Sequence, residues 1–542
     1  KLGKRLNKTI LRHYGTTKQI EDDKTKKIDS HQYYEQRKGE QGGFQFPQIR
    51  QVENTMNEGK KVEEKHQTYK KIIKEYEGKI EDGQVEKEKY IGVYGRITLT
   101  RSAGKKLYFF TIQDGEGKNI QLACSKANYE DENKFGEDMK QLKRGDIIYS
   151  TGYIGKTKKG ELSLFPERVT LLAPCYHHIP AYYGFTDTET RFRNRHVDFI
   201  ANSEKKDYFR LRGQLIRKMR DYFHDGGYLE VETPVLSTKS SGAQAKPFET
   251  EMNALHMPLK MRIAPELYLK QLIIGGFDKV FEIGKVFRNE GMDPTHNPEF
   301  TTCEFYAAYE PFDYLYETTE TLIRELIQTR NAFYGEEELL TLLVGDTKID
   351  FEQPFERIDY LNELEKHVDI QFDTFFEKDE THQIETLKSM ALKMDIDIEE
   401  AKTVGSLLDK LFSNTVEAQL DARPVFITHH PVALSPLANV NDKRPYVTDR
   451  FELYIGGMEI ANAYAELNNP FVQRERFAMQ ASEAVDDRCE GDEAFCKALE
   501  YGMPPTVGWG CGIDRIMMLL TQQPSIREIL LFPLMKPIHS TF

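Results

Sequence analysis

The chain has 542 residues, of which 39% are hydrophobic and 30% charged, and its formal net charge is −13 at pH 7. This length predicts two or three domains, and the composition is ordinary for a globular protein. There is no run of eighteen apolar residues, so we expect no membrane-spanning helix.

The cysteines are scattered along the chain and form no CxxC pair. This use of cysteine predicts a reducing compartment, with the cytoplasm as the expected location, and no structural zinc site. The six positions are Cys124, Cys175, Cys303, Cys489, Cys496 and Cys511.

Positive charge is concentrated at the amino-terminal end. Residues 1–50 hold twelve Lys or Arg and six Asp or Glu, although the whole chain is acidic. A basic arm on an acidic body indicates contact with a polyanion, but a disordered solubilising tail explains the composition equally well. We predict a basic extension over residues 1–80, disordered or nascently helical up to residue 60 and then forming a short amphipathic helix within 60–79.

Short alternating strands separated by Gly-rich turns occupy residues 85–175. Such a series favours a small antiparallel barrel of the OB type, which binds single-stranded nucleic acid by stacking bases on aromatic side chains. Phe109 and Phe110 are adjacent on one predicted strand, so one of them must face outward. That outward ring is either a stacking platform or part of the hydrophobic packing.

The next predicted elements are a helix and a strand. Apolar residues recur at helical spacing in KKDYFRLRGQLIRKMRDYFHD, and Gly226-Gly227 is expected to end that helix. YLEVETPVL follows as a strand closed by Pro234. Residues 336–425 have a helical pattern and interrupt the strands, so we predict a mainly helical insertion there.

The segment KVFEIGKVFRNEGMDPTHNPEFTTCEFYAAYEPF, which begins at Lys279, predicts two strands joined by a long polar loop. If the strands pair antiparallel, one sheet surface gathers several charged and aromatic groups. A cation and carboxylates in that arrangement suit a phosphate-bearing substrate. The alternative is a surface hairpin with solvated charges. The gathered residues are Arg288, Glu290, His296, Glu304 and Tyr306.

The segment TDRFELYIGGMEIANAYAELNNP predicts a hairpin closed by Gly456-Gly457. In that hairpin Glu452 would face Ala461, with Glu459 placed diagonally on the same surface. Two carboxylates so placed can share Mg²⁺ that bridges to phosphate oxygens. The alternative is a pair of exposed carboxylates on an edge strand.

Asn462, Tyr464 and Glu466 alternate on the second strand of this hairpin and therefore share one face. Glu459 and Asn462 are separated by an odd number of positions, so a regular strand would place their side chains on opposite faces. If all of them line one pocket, a β-bulge is required between Glu459 and Asn462.

The segment PPTVGWGCGIDRIMMLL contains alternate glycines at 508, 510 and 512. Glycines at this spacing remove the side chains from one face of a strand, so that a flat ligand or another backbone can approach closely. Asp514 and Arg515 then open an apolar helix, and an Arg at that position can bind an anionic ligand. The chain contains no GxxxxGK[ST], which disfavours a Walker-type ATPase.

Together these segments resemble the class II aminoacyl-tRNA synthetases. FRNEGMDPTHNPEF with TTCEFY is similar to the second signature motif of that class and GWGCGIDR to the third. GYLEVETPVL is similar to the first, which lies at the dimer interface. Within the class, RIAPELYLK, EIANAYAELNNP and GKTKKGELS resemble lysyl-tRNA synthetases of the eukaryotic type. The resemblance covers residues 32–537.

The resemblance implies an α+β fold, with an OB-fold anticodon-binding domain over 85–175 and a class II catalytic domain, built on an antiparallel sheet, over 190–542. It implies a cytoplasmic homodimer that uses ATP and Mg²⁺ to activate L-lysine and then charges tRNA(Lys). Synthesis of diadenosine polyphosphates is a side activity that the family permits.

A lysine substrate also fits the chemistry of the motifs, because an ammonium group requires carboxylates and an aromatic wall. These groups are predicted to lie on two neighbouring strands, and an aspartate pocket would need a cation there, which the motifs do not offer. By resemblance, the residues that bind lysine are Gly242, Glu266, Arg288, Glu304, Tyr306, Asn462, Tyr464 and Glu466. Within this set Glu304, Glu466 and Tyr306 would hold the ε-ammonium, Glu266 and the Gly242 backbone the α-amino group, and Arg288 and Asn462 the carboxylate.

The resemblance also implies an ATP site, in which Phe300 stacks on adenine and Arg288 holds the α-phosphate. The full ATP set is Arg288, Glu290, His296, Asn297, Phe300, Glu452 and Arg515. The implied metal ligands are Glu452 and Glu459, and the implied catalytic residues are Arg288, Glu452, Glu459 and Arg515. The implied anticodon contacts are Phe109 by stacking, Gln121 and Glu161.

Where the family often has Gly-Gly-Ala, this chain has Ser241-Gly242-Ala243, and Ser241 could alter the loop over the lysine. Three alternatives remain: an aspartyl or asparaginyl enzyme on the same scaffold, a relative that attaches lysine to a protein, and a catalytically silent tRNA-binding protein. The second type usually lacks the barrel. The first is disfavoured by Glu304 and Glu466, and the third by the intact catalytic set.

Overall fold

The computed structural model describes residues 29–56, 62, 68–180, 185–238, 245–336, 340–399, 401–483 and 492–537. The chain divides into two compact units, Lys1–Thr186 with Val197–Ser203, and Asp187–His196 with Glu204–Phe542. Within the described ranges, no helix has both the length and the apolar character that crossing a membrane requires.

The first unit is a closed barrel of five strands, in the order β1-β2-β3-β5-β4, with helices beside it in the described part of the chain. This confirms the predicted OB-type barrel. Phe110 is buried inside the barrel and Phe109 is partly exposed, as the strand alternation requires. The elements are α1 (Ser30–Glu40), α2 (Ile49–Met56), α3 (Tyr69–Tyr76), β1 (Val85–Ser102), β2 (Leu107–Gln113), β3 (Asn119–Ser125), α4 (Phe135–Gln141), β4 (Ile147–Lys156) and β5 (Leu162–Ala173).

Helix α1 lies in the region where the sequence indicated disorder or nascent helix. It is fixed to the barrel by Arg37, which is 1% exposed and donates from Nη2 to Asp146 Oδ2 at 2.5 Å. A paired charge in so dry a position stabilises one arrangement of helix and barrel. Further along, Tyr69 and Ile72 of α3 belong to the barrel core, so the predicted amphipathic helix is present.

The second unit is built on an eight-stranded sheet, counted over the described residues, in the order β14-β15-β16-β17-β18-β11-β10-β6. Its strands pair antiparallel except at the two edges, where β6 and β14 pair parallel with β10 and β15. The strands of this sheet are β6 (Leu229–Glu230), β10 (Lys279–Phe287), β11 (Glu299–Ala308), β14 (Glu356–Asp359), β15 (Val425–Thr428), β16 (Arg450–Ile455), β17 (Met458–Ala465) and β18 (Thr506–Gly512).

Smaller strands and a set of helices complete this unit and the chain that leads into it. The smaller strands are β7 (Leu236–Ser237), β8 (Glu249–Met252), β9 (Met257–Met261), β12 (Thr341–Val344) and β13 (Thr347–Asp350). The helices are α5 (Thr188–Arg193), α6 (Arg195–Ala201), α7 (Lys206–Asp225), α8 (Glu266–Ile274), α9 (Asp313–Tyr334), α10 (Tyr360–Glu365), α11 (Phe372–Phe375), α12 (Glu380–Lys393), α13 (Val404–Thr415), α14 (Pro470–Glu483), α15 (Glu493–Leu499), α16 (Ile513–Thr521) and α17 (Ile526–Ile529).

Two predicted elements differ from the structure. The segment YLEVETPVL does not form one strand: it contains the two-residue strand β6, then runs without ladder pairing through Pro234, whose nitrogen has no hydrogen to donate, and ends in the first residue of β7. The region 336–425 contains the expected helices, but it also contains β12, β13 and β14. Since β14 pairs with β15, residues 356–359 within that region belong to the main sheet rather than to an insertion.

The sheet has a packed face and an open face. On the packed face Phe305 stacks on Trp509, which donates from Nε1 to Thr319 Oγ1 of α9 at 2.9 Å. Phe223 of α7 packs against Phe305 in the same core. Because side chains alternate along a strand, the neighbours of these core residues point to the other face.

Candidate active site

Two rows of residues cross the open face of the sheet. In the first row Glu304 lies opposite Gly510, Gly510 opposite Asn462, and Asn462 opposite Glu452. In the second row, Tyr306, Gly508, Tyr464 and Arg450 are aligned in the same way. Directly opposed residues share a face, so these rows bring together groups that are far apart in the sequence.

A cavity of about 470 Å³ opens over these rows. Its lining contains most of the predicted site residues: Glu266, Arg288, Glu290, His296, Asn297, Phe300, Glu304, Tyr306, Glu459, Asn462, Tyr464 and Arg515. Glu452 and Glu466 do not line it, and Gly242 and Ser241 lie outside the described residues.

The predicted antiparallel hairpin is present. β10 and β11 pair in register from Lys279 opposite Ala307 to Phe287 opposite Glu299, so the polar loop begins at Arg288. The Arg288 guanidinium lies 5.3 Å from the centre of the Phe300 ring. A cation beside an aromatic face offers one surface for an anionic group and another for a flat ring.

The loop connects to the carboxyl-terminal motif through a chain of hydrogen bonds. Arg515 donates from Nη2 to His296 Nε2 at 2.9 Å and from Nη1 to Glu459 Oε2 at 3.1 Å. The other ring nitrogen of His296 lies 2.7 Å from Asp293 Oδ2. Burial alone would raise the pKa of Asp293, but hydrogen bonds from the Thr295 backbone and from His296 lower it to about 2. His296 and Arg515 are thus held in fixed positions at the rim.

The hairpin between β16 and β17 closes as predicted, since Gly456 and Gly457 both have positive φ, at 62° and 71°. The predicted pairing of Glu452 with Ala461 is wrong. Leu453 lies opposite Ala461 and Tyr454 opposite Glu459, which leaves Ile460 as an extra residue. This extra residue is the predicted bulge, and it returns Glu459 to the face that carries Asn462.

Glu452 and Glu459 therefore share the open face. Burial would raise the pKa of Glu452, but Arg450 and His430 lower it strongly. The pKa of Glu459 is raised by burial and by the charge of Glu452, with Arg515 opposing. Two carboxylates on one face, of which Glu459 is 38% exposed and lines the cavity, supply oxygen ligands of the kind that Mg²⁺ prefers, so the pair fits that ion.

The alternate glycines of β18 serve neighbouring side chains rather than an open slot. A Cβ at Gly508 would lie 2.0 Å from Glu466 Oε1 and 2.6 Å from a Tyr306 ring carbon, and one at Gly510 would lie 3.2 Å from Glu304 Cγ. The prediction that the carboxylates lie on two neighbouring strands is wrong, because β18 separates β11 from β17. Glycine is needed so that the side chains can converge across it.

Behind Glu266, which lines the cavity, lies a cation that sequence reasoning missed. Lys270 of α8 is fully buried, donates from Nζ to Glu266 Oε1 at 2.6 Å and forms an ion pair with Glu466. Tyr464 donates to the same oxygen of Glu266 at 2.7 Å. The signal in the sequence was the single basic residue of this mostly apolar helix, four positions after Glu266.

Arg450 was also missed, although it stands two residues before Glu452 on the same face of β16. It lines the cavity and donates from Nε to Asn462 Oδ1 at 3.1 Å and from Nη2 to Glu452 Oε1 at 2.5 Å. Residues two positions apart on a strand share a face, so counting two positions back from Glu452 would have identified Arg450. His430, which is buried beside Glu452 at 3.5 Å, has no such pattern in the sequence.

On the barrel, the three predicted anticodon residues lie on β2, on β3 and directly before β5. Arg101 lies 5.8 Å from the Phe109 ring centre and donates from Nη2 to Gln121 Oε1 at 2.8 Å. Gln121 donates in turn to Ser163 Oγ at 2.8 Å, and Ser163 donates to the Glu161 carbonyl at 3.1 Å. The arrangement is a ring platform with polar groups next to it.

Comparison with known proteins gives two family matches. Residues 187–536 match the model described as tRNA synthetases class II (D, K and N). Residues 91–172 match the model of the OB-fold nucleic acid binding domain. The matched ranges lie over the sheet with its cavity and over the barrel.

Individual relatives agree with these families. The chain is 40% identical to lysine–tRNA ligase cla4 of Cladosporium cladosporioides, over 94% of this chain and 85% of that protein. It is 41% identical to a probable cytoplasmic lysine–tRNA ligase of Encephalitozoon cuniculi, over 82% and 87%. It is 43% identical to a lysine–tRNA ligase of Campylobacter hominis, over 86% and 92%.

Proposed function

We propose that this chain, which belongs to the lysine–tRNA ligases of the class II tRNA synthetase family, activates L-lysine with ATP and transfers it to tRNA. As a member of that family it is an ATP-dependent aminoacyl-tRNA synthetase. The observation that carries the proposal is one cavity in which Arg288 with Phe300 lies along the same hairpin as Glu304 with Tyr306.

In the first step, an oxygen of the lysine carboxylate attacks the α-phosphorus of ATP. A new oxygen–phosphorus bond forms, the bond to the β-phosphate bridge breaks, and pyrophosphate leaves. We assign Arg288 to the α-phosphate, where its guanidinium stabilises charge that develops on the phosphoryl oxygens. Catalysis consists mainly of positioning and electrostatics, because both reactants are held in one cavity.

The proposed lysine site uses charge complementarity at both ends of the substrate. Glu304 and Tyr306 receive the ε-ammonium with Glu466 behind them, and Glu266 receives the α-amino group together with the backbone of Gly242. Arg288 and Asn462 orient the carboxylate, and Tyr464 holds Glu266 in place through a 2.7 Å hydrogen bond. This pattern supports lysine over an acidic substrate.

The proposed ATP site uses the loop and the third motif. Phe300 stacks on adenine, with Glu290 and Asn297 at the adenine end, and His296 and Arg515 contact the outer phosphates. Glu452 and Glu459 would hold Mg²⁺, which when bound supplies positive charge to the phosphate oxygens. The hydrogen bonds from Arg515 to His296 and to Glu459 support a joint role for these groups.

In the second step, the terminal 3′-hydroxyl of tRNA attacks the carbonyl of the adenylate, an ester forms, and AMP leaves. Phe109, Gln121 and Glu161 are proposed to contact the anticodon, with Phe109 as the stacking platform. The barrel of 85–175 is then the anticodon domain, and 190–542 the catalytic domain. Charging of a tRNA with a UUU anticodon, compared with one carrying a GUC anticodon, tests this assignment; equal charging of both would contradict it.

Lysine affinity is predicted to depend on pH through Glu304. Burial, with a smaller contribution from Glu266 and opposed by Arg288, raises the pKa of Glu304 to about 8. Below that pH the carboxyl of the empty site is neutral, so binding of the ε-ammonium must release a proton. The KM for lysine should therefore fall as the pH rises from 6 to 8, by up to about tenfold per unit, and then level off.

The measurement is the KM for lysine in ATP–pyrophosphate exchange at pH 6, 7, 8 and 8.5. The KM for ATP serves as the internal control, because Glu304 lies at the amino acid end. A KM for lysine that stays constant between pH 6 and 8 would contradict the assignment.

The basic arm is predicted to raise general affinity for tRNA. Residues 1–28 hold nine Lys or Arg and three Asp or Glu, and they precede α1, whose Arg37 pairs with Asp146. Deletion of 1–28 should weaken tRNA binding at low salt, reduce its salt dependence and leave adenylate formation unchanged, because phosphate contacts release counterions. Filter binding at several salt concentrations checks this, and an unchanged salt slope would refute it.

Three further assignments rest on the family. We propose a homodimer through the first motif, supported by the exposed side chains of Leu229, Val235 and Leu236, at 47%, 39% and 48%. We propose a cytoplasmic location, as the name of the Encephalitozoon relative says of that protein. Synthesis of diadenosine polyphosphates, in which a second ATP attacks the adenylate, is proposed as a side activity.

A further inference from the structure

The fully buried ammonium of Lys270 is not used by the mechanism above. It lies on α8 between two carboxylates, Glu266 at 2.6 Å and Glu466, which is itself 3% exposed. The rings of Tyr464 and Phe495 lie 5.6 and 5.8 Å from its nitrogen. An isolated buried lysine is costly, so a group that remains charged there must be compensated by its neighbours.

The formal charges of the side chains at this end of the cavity can be added directly. Glu266, Glu304 and Glu466 contribute three negative charges, and Lys270 contributes one positive charge; Arg450, which also lines the cavity, is paired with Glu452 and adds no net charge. The two negative charges that remain uncompensated match the two ammonium groups of a lysine substrate. Arg288 is then available to bind the single carboxylate of that substrate. An internal cation thus matches the charge of the pocket to that of the substrate.

We propose that Lys270 is a positioning residue for the lysine site, whose buried ammonium orients Glu266 in the cavity wall and Glu466 behind it and balances part of their negative charge. The inference rests on the proposed function and deepens it. Lys270 does not line the cavity, so it acts through the two carboxylates and has no contact of its own with the ligand.

The electrostatics of the cluster support this role. Burial alone would lower the pKa of Lys270, but the charges of Glu266 and Glu466 raise it, so the ammonium stays charged. Burial raises the pKa of Glu466, and Lys270 acts against that rise. The other titratable or charged groups around the cluster are Tyr464 from β17, Glu304 and Tyr306 from β11, Arg450 from β16 and Cys496 from α15.

The test substitutes Lys270→Met, which keeps most of the length of the unbranched side chain and removes its charge. At pH 7 the KM for lysine in ATP–pyrophosphate exchange should rise at least about tenfold, while kcat changes less than about threefold and the KM for ATP is unchanged. Without the internal cation Glu466 holds its proton more tightly. The ratio of variant to wild-type KM should therefore shrink at pH 9. Lys270→Arg should restore part of the affinity.

Arg324→Met is the matched control. It removes an ion pair of the same spacing, Glu320 with Arg324 at 2.8 Å on α9, and neither residue lines the cavity. Its KM for lysine should equal that of the wild type.

An unchanged KM for lysine in Lys270→Met would overturn the inference, as would an equal rise of both KM values or a ratio that does not change with pH. If Lys270→Met does not fold, Lys270→Gln takes its place; failure of both to fold, while Arg324→Met folds, would assign Lys270 to the fold alone and also overturn it. Absence of lysine-dependent exchange in the wild type would instead contradict the proposed function, so the two failures are distinguishable.

Discussion

Replacement of Arg288 by Ala is expected to lower lysine-dependent ATP–pyrophosphate exchange by about 1,000-fold, because it removes the cation proposed to stabilise the transferring phosphoryl group. The guanidinium lies 5.3 Å from the Phe300 ring, at the start of the loop and on the wall of the cavity. The loss should appear mainly in kcat, since charge on the phosphoryl oxygens grows in the transition state.

Two further variants make this result specific. Arg288→Lys should recover only part of the activity, since an ammonium group does not reproduce the planar, two-pronged guanidinium. Lys285→Ala removes a cation three residues earlier on β10, where Lys285 pairs with Glu299 outside the cavity, and it should leave exchange unchanged. Activity of Arg288→Ala within tenfold of the wild type would refute the assigned role.

Replacement of Glu304 by Gln is expected to lower kcat/KM for lysine by roughly 100-fold or more, with the KM for ATP unchanged. Gln is nearly the same size, so the change removes the charge that faces the ε-ammonium and keeps the packing against Gly510. The pH dependence of the KM for lysine between 6 and 8 should disappear, because the titrating carboxyl is gone.

Glu299→Gln is the control for this variant. Glu299 begins the same strand, is exposed and pairs with Lys285 outside the cavity. Its kinetic constants should match those of the wild type. Retention of the wild-type KM for lysine in Glu304→Gln, or of its pH dependence, would show that another group receives the ε-ammonium.

Local patterns in the sequence predicted the elements around the cavity well. The period of two identified β10 and β11, and the Gly456-Gly457 pair identified the turn between β16 and β17. The bulge also followed, because the parity of Glu459 and Asn462 is fixed by strand geometry. These features depend on contacts between residues close in the chain, which a single sequence records directly.

Strand order could not be predicted in the same way. Glu304 of β11 and Glu466, which directly follows β17, were expected on adjacent strands, but β18 lies between β11 and β17. Alternate glycines indicated a close approach, and only the sheet order reveals that Tyr306, Glu304 and Glu466 are the groups that approach. Register across strands distant in sequence depends on the packing of the whole sheet.

Buried cations were the least predictable part of the site. Lys270 lies in a helix whose sequence indicates an ordinary core element, and Arg37 lies in a segment whose composition indicates a solvated tail, yet both side chains are buried. Their burial depends on distant partners, Glu466 in one case and Asp146 in the other, and no local pattern encodes such a pair. The burial of both cations was therefore missed for the same physical reason.

The most direct test of the proposed function is ATP–pyrophosphate exchange by the purified protein with lysine, aspartate or asparagine as the sole amino acid. We predict exchange with lysine alone, because carboxylates and tyrosines surround the amino acid end, and the fully buried cation there, Lys270, is paired with Glu266 and Glu466. Exchange that depends on aspartate or asparagine, or no exchange with lysine, would contradict the account.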